Sequence, residues 1–285
     1  MAVPPPGQQQ RPGAIVSRAN ALAWLPRAVV LGLLAFAIFG PIANLVLWAF
    51  AERWFWPHAL PSQYGFEFWG RVFSERGRAW SSLGTSVAIA LLTVAVSLLI
   101  SAPAGYALAR LSVPFRALMM LAFLLPQAFP NLPIYMNVAR IFYWVGLNGT
   151  ILGVVLVHSL HGLVLSVWIA AAAFAAVDRS REEAARNIGA GPLRTFFTVS
   201  LPLAAPGIMA SAVFVFLESL DEFTGTYFVG VPDVITLPLL MFNASMGGNY
   251  QIAAITALIL LIPSVGFMLV IERFLKADVV AKIGG

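Results

Sequence analysis

Apolar residues in this chain come in long uninterrupted blocks separated by short polar stretches, the pattern of helices that meet lipid rather than water. A spanning helix needs about 20 apolar residues, and six blocks meet that length to within a few residues. They run from Ala28 to Phe50, Ser82 to Leu108, Leu118 to Val138, Thr150 to Val177, Ala205 to Phe228 and Ile252 to Ile271. The expected fold is an all-α membrane protein of six transmembrane helices, with both ends of the chain on one side. No internal repeat of about 20 to 50 residues and no duplicated hydropathy pattern is visible.

The third block is interrupted by Pro126, Pro130 and Pro133. Proline removes a backbone donor and clashes one turn back, so this span must kink or break. Its freed carbonyls then need protein or water partners, which places it beside an interior cavity rather than against lipid.

Composition fits the same solvent. Of the 285 residues, 60% are hydrophobic and 10% charged, against about a quarter charged in soluble domains. The net charge of +5 comes from arginines scattered between the spans, not from one basic stripe, which argues against a nucleic-acid partner. There is no cysteine, so no disulfide framework or thiolate metal site is possible, and the redox compartment stays open. Residues 1–27 are rich in Pro and Gln, carry three Arg and lack a small-residue cleavage pattern. They are expected to form a flexible cytoplasmic tail before an uncleaved first helix, with residues 276–285 as a second tail.

Cytoplasmic segments of membrane proteins carry the excess of Lys and Arg. With the N-terminus inside, the inner set is Arg11, Arg18, Arg27, Arg110, Arg116, Arg179, Arg181, Arg186, Arg194, Arg273, Lys276 and Lys282. The outer set is Arg53, Arg71, Arg76, Arg78 and Arg140, so both termini are assigned to the cytoplasm. Trp48, Trp54, Trp56, Trp69 and Trp80 crowd around the first outer segment and suit headgroup-level anchoring.

The inner loop between the fourth and fifth spans, residues 178–203, reads DRSREEAARNIGAGPLRTFFTVSLPL. Residues 179–188 are strong helix formers with Ala184, Ala185 and Ile188 on one stripe. Gly189 to Pro192 breaks that helix, Leu193 to Thr198 forms a second short turn, and Pro202 starts the next element. Such a hairpin cannot bury its own apolar stripe. Physically it is either a knob that docks in a partner's groove or an amphipathic loop lying on the membrane surface.

Its spacing adds a further observation. Glu183, Ala184 and Ala185 are followed by Gly189 and then by Val199, Ser200, Leu201 and Pro202. This resembles the signature of the membrane permeases of binding-protein-dependent ABC importers: Glu-Ala-Ala, three residues, Gly, nine residues, Ile, any residue, Leu, Pro. The departure is Val199 for Ile. The resemblance covers roughly residues 80–275 and implies a transmembrane domain at 28–275 in a prokaryotic cytoplasmic (inner) membrane. It also implies that the loop is a coupling helix seated in a cleft of a separate ATPase subunit. Glu183 would then be the charged contact, Ala184 and Ala185 would allow close approach, Gly189 would make the turn, and Leu201 and Pro202 would close the motif. The implied partners are a dimer of ATPase subunits that bind ATP and Mg, a second permease and an extracytoplasmic solute-binding protein. The chain agrees in lacking a Gly-x-x-x-x-Gly-Lys-Ser/Thr phosphate loop, so it is expected to be a transporter subunit without catalytic residues or a cofactor of its own.

The fifth block carries Glu218, Asp221 and Glu222 at helical offsets of three and four. From Ala205, Glu218 lies about 20 Å along the helix, near the membrane midplane, where ionisable groups usually face a cavity and serve function. Three close carboxylates repel one another, so protonation or a cation must compensate. That cation is either an amine solute or a partner's Arg; alternatively the acids sit at the outer mouth and see no ligand. Gln127, Asn131, His158 and His161 fall at similar depth, and Gln127, Asn131 and His158 are assigned with the acids to a translocation path. The two histidines, three apart, either chelate a metal or, as favoured here, hydrogen-bond neighbouring helices; no metal is assigned. Residues 219–223, SLDEF, look more like the permeases for polyamines, opines and aminophosphonates than like the maltose type. The alternatives kept open are a sugar-type permease of the same family, an ion-gradient-driven transporter using the acids as a proton relay, and a membrane enzyme with a metal at the histidines.

Overall fold

The computed structural model describes residues 13–55 and 57–283, with side chains at 24, 26–55 and 57–273. Residues 1–12 of the expected tail, Trp56, the side chains of Lys276 and Lys282, and the last two residues lie outside the described part. Contacts divide the chain into two units, residues 1–47 and 48–285.

Helix α1 covers Gly13–Phe50. It starts ahead of the expected boundary at Ala28, because the stretch AIVSRANALAWL contains no helix breaker. Leu31, Leu33 and Phe36 on it are exposed, as lipid-facing side chains are.

The second unit opens with a small antiparallel pair, β1 (Ala51–Arg53) and β2 (Gln63–Tyr64), and a short helix α2 (Glu67–Phe73). Here the aromatics stack on one another: Trp48 lies 4.4 Å from Trp54, and Trp69 leads through Phe73 to Trp80. The Trp69 indole also donates to the Ala49 carbonyl. Of the expected interfacial tryptophans, Trp69 thus belongs to a built cap, while Trp80 keeps an exposed face.

The spans follow as α3 (Ala79–Arg110), α4 (Arg116–Ala128) with α5 (Asn131–Val145), α6 (Ile151–Ala175), α9 (Leu201–Asp221) and α12 (Tyr250–Ile283). Between α6 and α9 come α7 (Arg179–Asn187), α8 (Pro192–Thr195) and a π-helical turn (Phe196–Ser200). After α9 come α10 (Thr224–Val229) and α11 (Leu237–Met246). Among the described residues five helices are long and apolar enough to cross a membrane, and α4 with α5 makes a sixth span broken by a 97° bend. The break falls at Phe129 and Pro130, as the proline cluster requires.

Helices α3, α6 and α9 form the centre. Lipid gives helices no hydrophobic reason to associate, so close packing of small residues must do it. On α3, Ser82, Ser86, Ala90, Thr93, Ser97, Ser101 and Gly105 recur every three or four residues and all are buried. At Gly105 the approach is close: a Cβ there would lie 2.6 Å from Ala170 Cβ and 2.7 Å from the α6 backbone. Only glycine fits. Helix α6 starts where Thr150 accepts the Gly153 N–H at 3.0 Å, a cap worth about 1 kcal/mol.

One expected boundary is corrected. The fifth span stops at Asp221 instead of Phe228, since Glu222 leaves the helix (ψ 111°). Its carboxylate takes the Gly225 N–H at 2.8 Å, satisfying an open donor at the start of α10. Pro202 stands in the first turn of α9, where the next element was expected to start. The helix from Pro192 to Asp221 is continuous, and the wider π turn absorbs the donor that proline lacks, with Leu201 N–H reaching back to Phe196.

Candidate functional site: the hairpin and the polar network

The loop between α6 and α9 holds α7, a glycine turn and α8. Asp178 caps α7 by accepting the Ser180 N–H at 3.0 Å. That backbone hydrogen bond, with Arg181 and Arg110 nearby, holds its carboxyl below the usual aspartate range. Gly189, at φ +92°, turns the chain in the left-handed region where a side chain is strained. The turn closes through Gly189 N–H to Arg186 and Ala190 N–H to Ala185.

What the hairpin presents is apolar. Ile188 is 88% exposed, Leu193 75% and Phe197 61%. Glu183 and Ala184 are exposed beside them, Ala185 and Leu201 are half-buried, and Pro202 is exposed. The root of the hairpin is the opposite. Glu182 is buried and accepts from Arg110 Nε at 2.9 Å and from Ser200 Oγ at 2.9 Å. Arg110 also donates through Nη2 to the Val177 carbonyl at 2.6 Å. Tyr106, Phe174 and Phe196 pack edge to face around this root. Neither Arg110 nor Glu182 stood out in the sequence as more than one of several charges.

The second group lies where the broken span meets α6 and the end of α9. Tyr135 on α5 is fully buried and donates to Glu222 Oε2 at 2.8 Å, and its oxygen lies 2.8 Å from His161 Nδ1. His161 Nε2 is 2.9 Å from Asn131 Oδ1. Glu218 is exposed, within electrostatic reach of His161, Asp221 and Glu222. So Asn131, His161 and Glu222 meet around Tyr135, the member the sequence did not reveal, with Glu218 within electrostatic reach.

Three assigned residues stand elsewhere. His158 is buried among helices with Nδ1 at 2.8 Å from Ser219 Oγ and Nε2 at 2.9 Å from Thr226 Oγ1, so it ties α6 to α9 and α10 and does not line a path. Gln127 is exposed near the end of α4. Asp221 borders a separate cavity of about 210 Å³ with Leu217, Met241, Leu260 and Ser264. The single acidic face expected for Glu218, Asp221 and Glu222 is therefore split, because the chain leaves the helix at Glu222 and turns that carboxylate toward α5. Both histidines serve as helix-to-helix hydrogen-bonding groups, and each points its nitrogens at different partners.

Six apolar spans, one of them broken beside a polar network, define a multi-pass membrane protein. The chain belongs to the family described as binding-protein-dependent transport system inner membrane component, which matches residues 101–277. It is thus an inner-membrane permease subunit of an ABC importer. It is similar to the trehalose transport system permease protein SugB of Mycobacterium tuberculosis, 30% identical over 225 residues, covering 76% of this chain and 81% of that one. It is also similar to the putrescine transport system permease protein PotI of Escherichia coli, 36% identical over 134 residues, covering 40% and 47%. A solved bacterial ABC transporter that imports the acidic polysaccharide alginate shares the fold, with a TM-score of 0.65 at 19% identity over 90% of this chain and 98% of that one. With sugar and diamine permeases both among the relatives, the polyamine-like branch suggested by residues 219–223 is not singled out.

Proposed function

We propose that this chain forms one half of the translocation path, pairs with a second permease, and receives the drive for import through the hairpin at 178–203. An ATPase subunit on the cytoplasmic side holds the hairpin tip, both termini lie on that side, and a binding protein delivers solute at the outer face. The carrying observation is the contrast within the hairpin: Ile188 and Leu193 stand exposed beside the turn at its tip while its root is locked by a buried ion pair. A rigid projection with an apolar end suits insertion into a groove, with Glu183 at its edge fixing register. Glu183→Arg should leave membrane insertion intact and abolish both uptake and solute-stimulated ATP hydrolysis; undiminished uptake in that variant removes the coupling role.

For the solute we infer a small amine, since the exposed Glu218 carboxylate lies within electrostatic reach of both Asp221 and Glu222, and a cation would compensate them. A sugar is the second candidate, favoured by the likeness to SugB over most of the chain. Asp221→Asn separates them: uptake of a cationic amine should fall far more than uptake of a neutral sugar, and equal effects retire the amine.

A further inference from the structure

We infer that Arg110 and Glu182 are positioning residues that make α3 move with the hairpin, so that the stroke of the hairpin reaches a helix to which it is not adjacent in sequence. The inference rests on the docking role proposed above. By chain connectivity alone the hairpin would pull only on α6, through Val177, and on α9, through the π turn. The ion pair adds a third connection. One carboxylate, Glu182, joins α7 to the last residue of α3 and to Ser200 in the π turn, while the same guanidinium holds the Val177 carbonyl at the end of α6. Arg179 adds a longer contact, 3.4 Å, to the Ala109 carbonyl of α3.

Four segments therefore converge on one buried pair, whose side chains are 6% and 5% exposed. Bonds to a charged group are short, directional and about twice as strong as neutral ones, so the joint resists sliding. Its position matters as well. Helix α3 carries the buried stripe of small residues from Ser82 to Gly105 that packs the centre of the molecule. A displacement delivered to Arg110 is thus delivered to a helix packed closely through small residues, where it must shift α3 bodily against its neighbours instead of being absorbed by soft side chains. The exposed tip, Ile188 and Leu193, takes no part in the joint, so attachment to the ATPase and transmission to α3 are separable.

The test uses the assembled importer in proteoliposomes and measures three things on each variant: ATPase subunits retained, ATP hydrolysed, and solute imported per ATP. Arg110→Met with Glu182→Met removes the directional joint while filling its volume, a replacement that buried ion pairs commonly tolerate. Flexible methionines let the segments slide. The double variant should hold its ATPase subunits and continue to hydrolyse ATP, yet import per ATP should fall about tenfold, within the usual range of coupling between sites. Ser200→Ala, which deletes one donor to Glu182 and leaves the charges in place, should lower the same ratio by a smaller factor. Arg110→Lys, which keeps a donor for Glu182, should recover part of it. A double variant with wild-type import per ATP overturns the inference, as does a Ser200→Ala protein that matches wild type when the double variant does not fold. Ile188→Asp serves as the separate control: if that protein retains its ATPase subunits as well as wild type, the docking role fails, and with it the basis of the joint.

Discussion

Gly105→Ala offers a strict test of how α3 meets α6. A Cβ at this position would lie 2.6 Å from Ala170 Cβ and 2.7 Å from both the Ala170 carbonyl carbon and the Ala171 nitrogen. Non-bonded carbons settle at about 3.5–4.0 Å, so the two helices must part by about 1 Å. None of the three atoms can rotate away, being backbone or an alanine methyl. Overpacking of this kind costs about 1–3 kcal/mol, and the rigid neighbours place it toward the upper end. The same substitution at Gly84, on the same helix, meets nothing within 4 Å. There the only change is helix propensity, a gain of up to about 1 kcal/mol. Both variants share that gain, so they should differ by the overpacking cost alone, about 1–3 kcal/mol, which on the scale of domains of comparable size is roughly 2–12 °C in melting temperature. Thermal unfolding followed by tryptophan fluorescence in mild detergent measures it, since the chain has eight Trp. If Gly105→Ala melts at or above Gly84→Ala, the close-packed stripe is not what holds the centre together.

Ile188→Asp removes an apolar contact worth about 1.5–3 kcal/mol when buried. It should weaken ATPase binding by about 10–100-fold, measured by titration of purified subunits, with no change in melting of the permease alone. Tyr135→Phe keeps the ring but leaves Glu222 Oε2 and His161 Nδ1 without that hydroxyl; stability should fall by about 1–3 kcal/mol, read by the same melts. Asp178→Ala deletes the cap of α7, and hydrogen exchange at residues 179–187 should quicken at neutral pH. Because the Asp178 carboxyl is held below its ordinary value in the fold, the cap stabilises above the ordinary aspartate range and is lost as the pH falls through the lowered value. The alanine variant should lose that acid-side dependence.

What the sequence revealed was local. Six apolar blocks mark six spans because the bilayer imposes a length, and Pro126, Pro130 and Pro133 announce the break because proline acts on its own helix. The hairpin was legible for the same reason, as Glu183 to Pro202 is one short stretch with a fixed spacing. The joint at its root was not, because Arg110 and Glu182 are 72 residues apart and look like any two loop charges. Tyr135 was hidden likewise: its partners His161 and Glu222 lie 26 and 87 residues away. The acidic face failed for a different reason. Helical offsets predict a shared face only while the helix continues, and the capping bond from Gly225 to Glu222 ends it at Asp221.

The claim on which all of this depends is that the hairpin tip sits in the ATPase. Since the chain has no cysteine, Ile188→Cys creates a single thiol, and bifunctional cross-linking in inside-out vesicles containing the intact importer asks the question directly. A single cross-linked product joining the permease to an ATPase subunit, lost on adding excess ATPase-free competitor thiol, is the predicted result. Labelling of that thiol by an impermeant reagent applied from the outer face, or a product without the ATPase subunit, contradicts the account.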